Sequence, residues 1–383
     1  MATAPTDGNQ TAGFLDTATG LPLSARTRAA LDAAWDQAAS EPGRRYPSAR
    51  RSRLVLDQSR ASTALAFGVP PDGVYFAPDR LTAINWALTS AHSTHPRLVV
   101  SAVEDLMVLR TADHLAATVL TPPPQTVAVD RAGRVDLDQL TALLSLGGPP
   151  GQVVIQDGNI EIGTRQDLAS IRAAARDHVL VTDLQAVAGR AELGAGWDVG
   201  FADARMWGGP PGVSVVAVRD PQRFRPAQPI TAGHGGVEAE DPPVPLIAAA
   251  AMALEDSLPQ WRHTGEVTDR LRSQVVATIP DATFAGSTTH RVPYLTMFSF
   301  LYVPADELVD ELGRRGWAVS SGASCTSDTQ RPHHVLVAVG ALTHGSLRVS
   351  VTPTTTTAEI DDFVTDLADI VSRIRTESGT VGL

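Results

Sequence analysis

Between residues 74 and 219, short apolar runs alternate with longer amphipathic stretches, and this alternation constrains the fold more than any other feature of the chain. The apolar runs fall at 74–77, 98–102, 126–130, 153–157, 179–183 and 214–219. Helical stretches at 81–91, 106–118, 137–146 and 168–178 separate the first five. Runs this short, apolar at nearly every position, read as strands buried on both faces, and intervening helices return the chain to make parallel neighbours. The region is expected to be an α/β layer structure. An alanine-rich helix at 246–258 links it to the remainder of the chain.

The pattern then changes. Strands are expected at 298–303 and 347–351, with a strand edge at Val319. Helices are expected at 306–315, 335–340 and 357–375, the last with Ile360, Phe363, Leu367, Ile370 and Val371 on one face. This order suggests a smaller α+β domain of antiparallel type. The expected boundaries are 13–258 for a large α/β domain and 259–383 for the small one, with the N-terminal residues 1–30 a candidate to pack on the latter. Near the start, Ser24 caps a helix running to Ala39, and a second helix ends at Gly68.

A chain of 383 residues, 43% hydrophobic and 19% charged, can bury one large core and a smaller one. It has no apolar run long enough to span a bilayer and no signal-like leader, so a cytoplasmic location is expected. The net charge of −11 argues against nucleic acid or an anionic membrane surface as partner. A single cysteine, Cys325, excludes an internal disulfide framework. All 31 residues counted as lysine or arginine are arginines. The chain has no lysine.

Cys325 sits in Ser320-Ser-Gly-Ala-Ser-Cys-Thr-Ser-Asp-Thr-Gln-Arg-Pro332, a polar loop between the strand edge at Val319 and an apolar helical run. Buried structural thiols lie in apolar runs, so this one is expected to be exposed on a mobile loop. Downstream stands Gly345-Ser-Leu-Arg-Val-Ser-Val-Thr-Pro-Thr-Thr-Thr-Thr-Ala-Glu-Ile-Asp361. The two stretches together resemble the cysteine desulfurases of the housekeeping and nitrogen-fixation branch. Further matches are Phe14-Leu-Asp-Thr-Ala-Thr19, Asn159-Ile-Glu-Ile-Gly-Thr-Arg-Gln166, Val181-Thr-Asp-Leu-Gln-Ala-Val-Ala-Gly189 and Ala202-Asp-Ala-Arg-Met-Trp-Gly-Gly-Pro-Pro-Gly212. The resemblance implies the class V aminotransferase fold, with a mainly parallel seven-stranded sheet flanked by helices and a smaller α+β domain. It implies a homodimer that binds pyridoxal phosphate, with Cys325 as the thiol that carries persulfide sulfur and Arg348 as the holder of the substrate carboxylate.

The departures from the family pattern gather on the cofactor. Met206 stands where the family has its Schiff-base lysine, and a thioether cannot form an imine. Arg205 replaces the histidine before that lysine, and Asp203 replaces a phosphate-binding serine. Leu81, Asp105 and Ala186 replace a phosphate-cradle threonine, a ring-stacking histidine and a ring-contacting glutamine. Asp183, which would pair with the pyridinium nitrogen, and Asn159 remain. No cofactor is expected as a Schiff base, and pyridoxal phosphate enters only through the resemblance. A buried Asp183 without that ring needs compensation: Arg205 swinging in beside it is the favoured expectation, with water filling or a raised pKa that leaves Asp183 neutral as the alternatives. His333 and His334 lack the companions of a zinc site, and no metal is expected. The Gly/Pro-rich segment 228–244 is similar to an intersubunit loop of the family.

Three functions stay open. The protein accepts or relays persulfide sulfur on Cys325, or partners an active desulfurase as sulfur donor or acceptor; it is a non-catalytic scaffold; or it runs an imine-independent reaction in the emptied pocket.

Overall fold

The computed structural model describes residues 13–92, 97–118, 123–146, 150–224, 242–321 and 333–379. Seven strands form the larger sheet: β1 (Val74–Ala77), β2 (Leu98–Ser101), β3 (Gln125–Val127), β4 (Gln152–Val154), β5 (Val179–Asp183), β6 (Val199–Asp203) and β7 (Ser214–Val218). Their order is β1-β7-β6-β5-β4-β2-β3. All neighbours from β3 to β6 are parallel, and β7 runs antiparallel to both β6 and β1.

The strands are buried on both faces, as their apolar runs require. Val99, Val153, Leu180, Val215 and Ala217 face one core, while Val100, Val154, Val181, Val216 and Val218 face the other, following the two-residue pleat. The second core is roofed by α3 (Arg80–His92) and α4 (Leu106–Thr118). The first is covered by α6 (Leu168–Ala175) and α7 (Val244–Gln260), the latter packing on α1 (Ala25–Ala38) and α2 (Pro47–Phe67). α5 (Leu137–Leu144) lies beside α6. Ser24 caps α1 by accepting from the Thr27 amide at 3.0 Å, as expected from sequence.

The rest of the chain builds an antiparallel three-stranded sheet, β8 (Thr283–Ala285), β9 (Leu295–Ser299) and β10 (Ser346–Ser350), in the order β10-β9-β8. With it go α8 (Thr264–Thr278), α9 (Ala305–Arg314), α10 (His334–Ala338) and α11 (Thr357–Glu377), whose start is fixed by a capping box of Thr356 and Glu359. The N-terminal piece joins this part: the Leu15 amide donates to the Ala318 carbonyl and the Ser350 amide to the Leu15 carbonyl, each at 2.8 Å.

Four elements differ from expectation, among them β8, a strand not expected from the sequence. β6 escapes the sequence pattern, since its run holds a glycine and ends on an aspartate. A Cβ at Gly200 would meet Leu184 Cδ1, so a larger residue there would have to displace that side chain. The polar helix α8 carries too few apolar residues to be read as one. The strand expected at 298–303 is β9, which ends at Ser299. Past it the chain turns, with Tyr302 at a φ of 61° and Leu301 and Tyr302 turned outward, so apolar content outlasts the strand.

Candidate functional site at the carboxyl ends of the parallel strands

Parallel strands of an α/β sheet present their carboxyl ends on one edge, where ligands bind. Here β5 ends on Asp183 and β6 on Asp203. Gln185 ties the two ends together: its amide donates to Asp183 Oδ1 at 2.8 Å, and its Oε1 accepts from the Asp203 amide at 2.9 Å.

The cation beside Asp183 is Arg80, the first residue of α3. Arg80 Nη2 donates to Asp183 Oδ2 at 2.8 Å and Nη1 to Asp105 Oδ2 at 3.1 Å. Both carboxylates are themselves held, Asp183 as above and Asp105 by the Met107 amide at 2.8 Å. Burial of Asp183 pushes its pKa up, and Arg80 is the strongest opposing influence. The two carboxylates in turn hold the Arg80 guanidinium firmly cationic. Next to them Glu104 is fully buried, with Oε1 accepting from the Gln156 amide at 2.9 Å and Oε2 without a partner among the described residues. Burial raises its pKa well above the usual carboxylate range.

The expectation that Arg205 would pair with Asp183 is wrong. Arg205 Nε donates to Asp203 Oδ1 at 3.0 Å, and its side chain is 49% exposed. The cause is local. Asp203 caps the short 3-10 turn Ala204–Trp207 by accepting from the Arg205 amide at 2.9 Å, which sets the Arg205 side chain alongside its capping residue. In segment 78–81 the family pattern draws attention to Leu81. The signal for Arg80 is a basic residue one position earlier, at the head of a helix that follows a strand.

Met206 lies in the main apolar core at 1% exposure, and its carbonyl accepts from Arg190 Nε. The Arg190 guanidinium carbon lies 4.9 and 4.8 Å from the ring centroids of Trp261 and Tyr294, which pack edge to face on each other. Asn159 spends its amide on the backbone: Nδ2 donates to the Val103 carbonyl at 3.0 Å, and Oδ1 accepts from the Glu161 and Ile162 amides at 2.8 Å. Leu81 is exposed and faces none of these groups through a hydrogen bond.

A second charged group adjoins the first. Arg348, on β10, is buried with Nη1 2.7 Å from Glu161 Oε1 and Nη2 3.3 Å from Asp16 Oδ1. His333 Nε2 stands 4.0 Å from Glu161 Oε2, its ring stacked on His334. Burial, with His334 and Arg348 nearby, lowers the His333 pKa to about 4, so the ring is neutral at neutral pH. His334 Nε2 is hydrogen-bonded at 2.8 Å to the Glu104 carbonyl. The negative charge of Asp105 adds to burial in raising the pKa of both Asp183 and Glu161.

Cys325 lies outside the described residues, and so do residues 228–241 of the expected intersubunit loop. The chain on either side of Cys325 is fixed at the site. Ser320 pairs with Arg348 through backbone hydrogen bonds of 3.3 and 2.7 Å, and His333 borders Glu161. Among the described residues no cluster of histidine, cysteine and acidic side chains is placed to hold a metal, and no helix is long and apolar enough to cross a membrane.

The family model for "Aminotransferase class-V" matches residues 245–363. A cysteine desulfurase of Cereibacter sphaeroides is 30% identical over 356 residues, covering 87% of this chain and 86% of its own. The cysteine desulfurase NifS of Azotobacter vinelandii is 26% identical over 347 residues, covering 85% and 84%. Among solved structures, a NifS-like protein superposes with a TM-score of 0.83 at 22% identity, covering 94% of this chain and 99% of that one. That likeness carries the fold, an α/β structure with a mostly parallel seven-stranded sheet.

Proposed function

We propose that this chain, which belongs to the cysteine desulfurase family, serves sulfur metabolism as a receiver or relay of persulfide sulfur on Cys325, without pyridoxal-phosphate chemistry of its own. The observation that carries this reading is the ion pair of Arg80 with Asp183 in a chain that has no lysine. An imine to the cofactor needs a primary amine, and the side chain at the family's lysine position is a buried thioether. Asp183 already has its cation. Asp203, where the resemblance places a phosphate contact, is a carboxylate that repels phosphate. These residues do not fit the cofactor, and no step is drawn through it.

Sulfur can reach Cys325 without a cofactor if it arrives as a persulfide. The Cys325 thiolate attacks the outer sulfur of a donor persulfide, the donor's S–S bond breaks, and the donor leaves as its thiolate. No oxidant or reductant is consumed. The donor is a protein persulfide of the kind an active family member carries. At the two ends of the segment that holds Cys325, Ser321 is buried and His333 borders Glu161, which supports this reading. The fold and the family's habit of pairing further support a homodimer. The composition supports a cytoplasmic setting.

The test is transfer of radiolabelled sulfur from cysteine through an active desulfurase to this protein, followed by peptide mapping. Label on the Cys325 peptide, absent in Cys325→Ser and without an active partner enzyme, is expected. No label under conditions that load a known acceptor would favour the scaffold reading.

A further inference from the structure

We infer that Arg80 is an internal replacement for a bound cation: its guanidinium fills the position that a positively charged ring facing Asp183 would need, and it closes the strand ends to pyridoxal phosphate. This deepens the cofactor-free part of the reading above and rests on the same ion pair, whereas sulfur loading of Cys325 is tested separately.

Asp183 ends a central strand at 3% exposure, and a carboxylate so buried needs a hydrogen-bonded cation. A ligand could bring one, but the chain does. Arg80 divides its fork between two carboxylates on different elements, which fixes the guanidinium more firmly than a single partner would. The surroundings agree. At the head of α3, Asp79 Oδ1 accepts from the Thr82 amide at 2.7 Å, so the first-turn donor that a helix offers to an anion is taken by the chain's own carboxylate. At the end of β6, Asp203 adds a second buried carboxylate, held by Arg205 and by Ser214 Oγ at 3.3 Å. Met206 packs in the apolar core, away from solvent. By the resemblance, the cofactor would need an Asp183 free to pair with its ring, a phosphate contact at 203 and an amine at 206; the chain has Arg80 on Asp183, a carboxylate at 203 and a buried thioether at 206. These changes make one consistent site only if no cofactor is bound.

The experiment uses the full chain in a double-mutant cycle of Arg80→Ala and Asp183→Asn, read by urea unfolding, with pyridoxal phosphate and methylguanidinium as probes. Arg80→Ala is expected to lower the unfolding midpoint, and adding Asp183→Asn to recover at least half of the loss. The coupling should reach about tenfold or more in the unfolding equilibrium constant. Methylguanidinium should raise the melting temperature of Arg80→Ala but not of the wild type or the double variant. Wild type should show no saturable shift with pyridoxal phosphate. If Arg80→Ala does not fold, recovery of folded protein in the double variant is the expected result, and failure of both overturns the inference. Additive effects of the two substitutions, or saturable stabilisation of the wild type by pyridoxal phosphate, would also overturn it.

Discussion

Arg348 Nη1 stands 2.7 Å from Glu161 Oε1, with the arginine buried and the glutamate largely so, beside the N-terminal piece. The pair joins β10 to the loop after β4, with Asp16 completing it at 3.3 Å from Arg348 Nη2. An arginine expected from sequence to await a carboxylate substrate is thus already bonded to carboxylates of its own chain. Substituting Arg348 by Met leaves Glu161 and Asp16 facing each other without a cation. Breaking a buried pair from one side costs about 3–5 kcal/mol. Urea unfolding of Arg348→Met should show a loss of that order, and Glu161→Gln, which keeps an acceptor, a smaller one. Equal and small losses would contradict the pairing.

His333 makes stability depend on pH in a defined direction. Its pKa falls from 6.5 to about 4 through burial and the nearby charges of His334 and Arg348, with Asp105 opposing. Between those values the unfolded chain binds more protons than the folded one, so stability rises with pH across the window and is lost as pH drops through it. The shift corresponds to at most about 3 kcal/mol. Urea midpoints from pH 6.5 to 4 should fall more steeply for the wild type than for His333→Asn. Parallel slopes would remove His333 as the source of the effect.

Restoring the missing amine should not restore the cofactor. Met206→Lys places an ammonium in the apolar core with no acidic side chain bonded to that position, at a cost of several kcal/mol. Arg80 still holds Asp183. The variant is expected to be less stable and to give no visible aldimine absorbance with added pyridoxal phosphate. A yellow Met206→Lys protein with Arg80 intact would show the site to be open.

Much of the fold is legible in the sequence because burial on both faces leaves its mark there: β1, β2, β4, β5 and β7 are buried at nearly every position and mostly apolar. β6 is hidden because Gly200 answers to Leu184, a contact that no local pattern records. At the site, Asp183, Asp203 and Arg348 are found by motif. Arg80 is not, because its meaning comes from two carboxylates at positions 105 and 183 that only folding brings together. Arg205 misleads for the opposite reason: it is adjacent in sequence to the site, but its own capping aspartate claims it.

On the proposed reading the protein is expected to be a homodimer at micromolar concentration. Trp35, Leu54 and Leu65 of α1 and α2 are exposed in the single chain, an apolar set that a second copy would cover. Light scattering should give twice the chain mass of 40.3 kDa. A monomer throughout that range would contradict the pairing.

On the reading proposed above, this member of the desulfurase family works without pyridoxal phosphate. The most direct test is the visible absorption spectrum of the protein purified from cells supplied with the cofactor's precursor, followed by borohydride reduction and mass spectrometry of the intact chain. A colourless protein whose mass is unchanged by borohydride is expected, because no lysine is present and Arg80 holds Asp183. A yellow protein that borohydride converts to a stable covalent adduct would contradict it.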